Sequence, residues 1–410
     1  MKYRFFEHEQ FNYETLLALG SAYRQAADPG EVLAAAERIV DGDAESWFTT
    51  WTELGRRVRD QADRSYGQGR QVSAREAFLR AAAYLATALI SIDGTADPGR
   101  SGLVFREHRD CFEHFAAACD PPAEPVAIPY EGGSLPGYLF SPPDAGGPLP
   151  TVIVNNGSDG PLTAVWALIG AGAVARGYRA LLFDGPGQQS TLFQHGVPFR
   201  HDWEKVITPV VDFLLGREDV DGTRIALIGI SQAGYWVPRA LAFEHRIAVA
   251  VADPGIMDVS TSWWQHMPAE MRALWESGER ETFDAFMREA VKEPEHAAVW
   301  AWRSKPYGIE SPFDLFTEIG KYTLDPVVER ITTPLLITDP EGESFWPGQS
   351  RQLYEALPGP KELVRFTEAE GADLHCEPLG RAVFEQRVFD WTDARLETGG
   401  EVAARREPDQ

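Results

Sequence analysis

Apolar residues recur three and four positions apart from Asn12 to about Ala118, as in Trp47, Phe48, Trp51, Leu54, Val58 and in Ala77, Phe78, Ala81, Tyr84, Leu85. Such spacing lines one stripe of a helix, so residues 1–120 are predicted to form a helical amino-terminal region, closed by Pro121-Pro122. The texture then changes. The runs 126–130 and 135–140 flank Glu131-Gly132-Gly133 as a hairpin. Short apolar runs at 150–155, 178–183, 224–229, 247–252, 334–338 and 362–366 alternate with helical stretches, two of them at 164–176 and 203–215. Fully apolar strands separated by helices predict an α/β protein whose mostly parallel sheet is covered on both faces. The alternation stops between Gly255 and about Asp325, where helical text rich in Trp, Phe and Met predicts an inserted lid. The organisation expected is thus a helical region (1–120), a core in two parts (121–254 and 327–396), an insertion (255–326) and a disordered charged tail (397–410).

One run narrows the chemistry. The apolar strand from Ile225 enters Gly229-Ile230-Ser231-Gln232-Ala233-Gly234, and a helical pattern follows from Tyr235. A serine on a sharp strand-to-helix turn has strained backbone and an exposed Oγ, and small neighbours relieve the crowding. The pattern G-x-S-x-G is met with Ala233 in the fifth position and Gly234 just after it. An elbow on a central strand, with an antiparallel lead-in, predicts the α/β-hydrolase fold.

A serine hydroxyl needs a base, and chain order in this fold puts an acid and then a histidine after the serine. His375 follows the last strand, in Glu370-Gly-Ala-Asp-Leu-His-Cys-Glu-Pro378, and is the candidate base. The acid is sought after strand 334–338. Glu343, four residues before Pro347, is selected, with Asp339, Glu341 and Asp253 as alternatives. An oxyanion would be held by backbone N–H groups of Gln232 and of Gly157 or Ser158, in the turn after the third strand. Arg80, Arg200 and Trp203 are candidate substrate contacts, and the insertion adds Trp263 and Trp264 to an aromatic-lined pocket for a bulky or aromatic small molecule.

Composition changes the picture mainly by exclusion. A chain of 410 residues, 44% of them hydrophobic, can bury a large core. The formal charge of -24 argues against nucleic acid as a partner, since no basic stripe could replace phosphate counterions. Three cysteines (Cys111, Cys119, Cys376) lack metal-ligand spacing, and neither a metal nor an organic cofactor is expected. With no apolar leader after Met1 and no membrane-length apolar window, a cytoplasmic protein without membrane contact is expected.

These residues also resemble a known family. Asp43-Ala-Glu-Ser-Trp47, Ser73-Ala-Arg-Glu-Ala-Phe-Leu-Arg-Ala81, Phe183-Asp-Gly-Pro-Gly-Gln188, Gly229-Ile-Ser-Gln-Ala-Gly-Tyr-Trp236 and the His375 loop, in that order, look like the FrsA-like hydrolases. That group includes 2,6-dihydroxypseudooxynicotine hydrolase and fungal enzymes that shorten a polyketide chain. The resemblance spans roughly Trp47 to Trp391. It implies a helical domain over an α/β-hydrolase active site, a Ser/acid/His triad, often a homodimer, and cleavage of a carbon–carbon bond beside a ketone or of an ester. Two departures are Gln189, where many relatives have glycine, and Glu343, where Asp is common. The reading from residues and resemblance together is a serine hydrolase with an acyl-enzyme. Its alternative is a lyase, dehydratase or cyclase on a natural-product intermediate, with His375 as general base.

Overall fold

The computed structural model describes residues 3–143 and 145–404. Five helices open the chain: α1 (Glu9–Ser21), α2 (Pro29–Ala36), α3 (Ala44–Gly67), α4 (Gln71–Leu89) and α5 (Ser101–Ala117). Their starts follow from capping chemistry. Asp28 accepts the Glu31 N–H ahead of Pro29, and Asp43 accepts the N–H groups of Glu45 and Ser46. The apolar stripe of α3, with Trp47, Trp51, Leu54 and Val58, is buried.

Among the described residues eight strands form one sheet: β1 (Glu124–Tyr130), β2 (Gly133–Phe140), β3 (Leu149–Asn155), β4 (Arg179–Phe183), β5 (Val220–Ile230), β6 (Val249–Asp253), β7 (Leu335–Pro340) and β8 (Lys361–Phe366). Their order is β1-β2-β4-β3-β5-β6-β7-β8, antiparallel through β2 and β4 and parallel beyond. Period-two alternation assigns each side chain to one of two cores. Val152, Val154, Leu182 and Ile228 pack with the amino-terminal helices and with Phe384 and Val388 of the last helix. Ile153, Leu181, Phe183 and Leu227 pack with the helices Glu204–Leu215 and Ala233–Leu241 and with the insertion.

Between β6 and β7 lie the helices Thr261–Trp264, Ala269–Glu276, Arg280–Ala290, Pro294–Ser304 and Pro312–Ile319. Two local features differ from the sequence pattern. A helix Gln189–His195 follows β4, where the sequence pattern marks no helical stretch, held by Asp184 Oδ2 accepting the Ser190 N–H at 3.2 Å, a contact no periodicity signals. The helix beginning at Arg381 continues to Ala404, past Glu397, where a disordered tail was expected; its buried Trp391 and Leu396 anchor the approach to that stretch, and residues 405–410 lie outside the described ones. Among the described residues no helix is long and apolar enough to cross a membrane.

Helix α1 reaches across the chain. A Cβ at Gly20 would lie 1.6 Å from the carbonyl oxygen of Pro378, so glycine is what lets α1 lie against the loop that carries His375.

Candidate active site

Ser231 ends β5 with φ +56°, the left-handed region that an L-residue occupies only when its surroundings fix it. Its N–H donates to the Asp253 carbonyl at 2.6 Å, tying the turn to the tip of β6. The glycines explain the departure from G-x-S-x-G. A Cβ at Gly229 would stand 2.5 Å from Val237 Cγ2 and one at Gly234 would stand 1.7 Å from the Pro254 oxygen. Crowding against β6 falls at 234, so the buried position 233 tolerates alanine.

His375 lies between two partners. Its Nε2 is 2.9 Å from Ser231 Oγ and its Nδ1 is 2.6 Å from Glu343 Oε2. A carboxylate can only accept, so Nδ1 carries the proton and Nε2 is left as acceptor for the serine O–H. The other Glu343 oxygen accepts the N–H groups of Phe345 at 2.8 Å and Trp346 at 3.1 Å. Burial is the largest influence on both groups, pushing the carboxyl up and the imidazole down. Their mutual charge and hydrogen bond outweigh it, so Glu343 is held below the ordinary carboxyl range and His375 above the ordinary imidazole range.

The other acids are engaged elsewhere. Asp339 accepts from Arg351 Nε at 3.0 Å, Glu341 pairs with Arg365 at 2.7 Å, and Asp253 accepts the Thr338 hydroxyl at 2.6 Å. None of the three contacts the imidazole, whereas Glu343 does. The loop beyond His375 turns through positive φ at Cys376 (+56°) and Glu377 (+43°), and buried Arg381 donates to both their carbonyls, at 2.8 and 3.3 Å.

Gln232 and Ser158 each present a backbone N–H that donates to no group among the described residues. Gly157 differs, because its N–H already donates to Asn156 Oδ1 at 2.8 Å. Its contribution is closeness instead: a Cβ there would lie 2.8 Å from Ser231 Cβ and 3.3 Å from Oγ. Gly157→Ala is therefore expected to displace the serine and lower kcat by ~10²-fold, the cost of about 1 Å of misplacement. Turnover of 4-nitrophenyl esters, set beside the thermal midpoint, checks this.

Ser231 and His375 open on a cavity of about 1240 Å³ between the amino-terminal helices, the core and the insertion. Trp263 lines it, in edge contact with Tyr307 at 5.7 Å. The other expected substrate contacts do not. Arg80 is bound to Glu31 at 3.1 Å; Arg200 is spent on Asp202, Glu131 and Tyr130; Trp203 is fully buried, stacked 4.1 Å from Trp236, with its indole N–H given to Asn155; and Trp264 packs on Phe316 and Trp275 within the insertion. For each of these four, an ion pair or aromatic packing supplies the partner that a substrate was expected to be.

Among the cavity residues that the pattern did not single out are Tyr13 and Glu14 from α1, Asp159 beside the β3 turn, and Arg303 from the insertion. The Tyr13 hydroxyl donates to the His375 carbonyl at 2.8 Å. Asp159 accepts the Trp302 indole N–H at 3.0 Å and the Ser158 hydroxyl at 3.2 Å. Only Asp159 had a local signal, its place in the Asn155–Gly160 turn. Among the described residues no His, Cys, Asp and Glu side chains cluster as a metal site would.

A mostly parallel sheet with a serine at a strand-to-helix turn, and with His375 and Glu343 in line behind it, is the arrangement of the α/β-hydrolase class. The sequence profile of the alpha/beta hydrolase family matches residues 157–385, and the chain belongs to that family. It is 31% identical to the hydrolase ORFZ of Pyricularia oryzae, over 95% of this chain and 97% of that protein. It is 27% identical to the 20-hydroxy-prefusarin hydrolase FUS2 of Gibberella moniliformis, over 96% and 98% respectively. Its fold superposes on the crystal structure of 2,6-dihydroxy-pseudo-oxynicotine hydrolase with a TM-score of 0.73 at 20% identity, covering 93% of this chain and 96% of that one. The chain is accordingly an enzyme with hydrolase activity.

Proposed function

We propose that this chain is a serine hydrolase that forms an acyl-enzyme on Ser231 and cleaves a carbon–carbon bond beside a ketone, or an ester, in a bulky aromatic or polyketide-like small molecule. The observation behind this reading is the relay Glu343–His375–Ser231, with spacings of 2.6 and 2.9 Å, opening on a cavity of about 1240 Å³. Ser231 Oγ attacks the carbonyl carbon as its proton passes to His375 Nε2, and the oxyanion meets the free N–H groups of Gln232 and Ser158. Collapse breaks the bond to the leaving group, whose electron pair departs as an enolate, phenolate or alkoxide. His375 returns its proton to that group. Water then attacks the acyl carbon, gives a proton to His375, and releases the carboxylic acid with Ser231 reprotonated. By their names, FUS2 and the pseudo-oxynicotine hydrolase act on hydroxylated organic molecules, which suits a cavity with an aromatic wall.

The test is intact mass after treatment with a fluorophosphonate. One adduct per chain, absent in Ser231→Ala, supports the acyl-enzyme. A folded protein without an adduct overturns it and turns attention to elimination chemistry with His375 as base.

His375 must be neutral to act as base, and its pKa is raised, so kcat/KM on a 4-nitrophenyl ester should fall as pH drops through a value above the ordinary ~6.5. Glu343→Gln removes the charge that raises it. The acid limb of the pH–rate profile is then expected at lower pH, beneath a much reduced plateau.

A further inference from the structure

Glu14 is the group in the cavity that the acyl-enzyme scheme leaves unused. It stands on α1, half-buried, among the residues that line the same cavity as Ser231 and His375. Its carboxyl has neither an ion pair nor a hydrogen bond among the described residues. Asp159 is engaged by Trp302 and Ser158, Asp93 by Lys305 at 2.6 Å, and Glu343 by His375. Arg303, which lines the cavity, and Lys305 face other partners. Arg303 lies 4.3 Å over the Trp263 ring with Nη2 3.3 Å from Ser262 Oγ, and Lys305 is held by Asp93. An unpaired carboxylate in such a place is costly, whereas a carboxylic acid is a neutral donor. Burial, and then the charge of Asp159, push the Glu14 pKa up to about 8. The donor is held in position as well, because Tyr13, its neighbour on α1, is bonded to the His375 carbonyl at 2.8 Å.

We propose that Glu14 donates a hydrogen bond to a second carbonyl oxygen of the substrate, the one that becomes the enolate oxygen when the carbon–carbon bond beside the first carbonyl breaks. This inference rests on the acyl-enzyme reading and narrows it to substrates with a 1,3-dicarbonyl or equivalent aryl ketone. The division of labour is chemical. His375 returns its proton at the bond that breaks, and Glu14 acts two atoms further on, where the negative charge of the expelled fragment collects. The electron pair of the broken C–C bond moves into the enolate, whose oxygen keeps the Glu14 hydrogen bond until the carbon is protonated. An ester has no such oxygen in its leaving group, so Glu14 discriminates between the two reactions.

The test compares 1-phenyl-1,3-butanedione with 4-nitrophenyl benzoate, two probes that can give the same benzoyl-enzyme. The wild-type chain, Glu14→Leu and Glu14→Gln are assayed on both, and each is also labelled with a fluorophosphonate. Glu14→Leu, which has no donor, is expected to lower kcat for the diketone by ~10²-fold, and the ester by less than ~10-fold. Glu14→Gln, a neutral side chain of the same length that still donates through its amide N–H, should recover part of the diketone activity. Equal losses on both probes, or a wild-type chain that hydrolyses the ester and leaves every diketone intact, would each overturn the role of Glu14 while the Ser231 adduct still stands. Absence of the adduct would instead remove the acyl-enzyme on which the inference rests.

Discussion

Ser231→Ala is expected to reduce kcat on 4-nitrophenyl esters by ~10⁴- to 10⁶-fold, because nucleophile and base act as a unit and loss of one forfeits nearly the whole relay. What survives should be the smaller acceleration supplied by binding and the oxyanion donors alone. The thermal midpoint should hardly move. The Ser231 backbone is pinned through its N–H to the Asp253 carbonyl at 2.6 Å, and alanine keeps that bond. A variant that retains activity within ~10-fold would exclude an obligatory acyl-enzyme, since triad deletions cost far more.

Glu343→Ala is expected to cost ~10³- to 10⁴-fold in kcat, in the range seen when the orienting acid of such a triad is removed. Loss of the carboxylate frees His375 to adopt the wrong tautomer, and it leaves the N–H groups of Phe345 and Trp346 without their acceptor. Glu343→Asp should recover part of the rate, limited by a side chain one methylene shorter on a loop fitted to glutamate. Asp339→Ala is the control: it breaks the pair with Arg351 and should leave turnover close to the parent value. If Asp339→Ala proved the more damaging of the two, the acid would have been assigned to the wrong carboxylate.

Ser231 and His375 were legible as candidates because each is set by local backbone: Ser231 needs small neighbours at an elbow, and His375 follows the last strand. For the acid the sequence marked only the loop after β7. The alternatives Asp339 and Asp253 could be separated only in three dimensions, by their bonds to Arg351 and Thr338. Sheet strands were equally readable, being short apolar runs between helices. Direction of long side chains was not. Arg80, Arg200 and Trp203 have the chemistry of substrate contacts, yet they are taken by Glu31, Asp202 and Trp236, partners that no spacing announces. Gly157 carries a similar lesson: its residue type was right for the turn, but its N–H is committed to Asn156 and its value lies in the space it leaves for Ser231. Glu14 was hidden most completely, since an acid on an ordinary helix bears no mark until α1 is seen against the His375 loop, far along the chain.

The fit of Gly20 against Pro378, with Tyr13 bonded to His375, means that the helical part cannot be treated as an interchangeable roof. Exchanging it for the equivalent part of a relative would bring a new wall to the cavity and, in the same stroke, a new neighbour for the imidazole. Substrate choice and base alignment are thus inherited together along one helix. Laboratory evolution directed at α1 should yield variants in which altered preference and altered pH dependence arrive as a pair, whereas changes in the aromatic insertion can move preference alone.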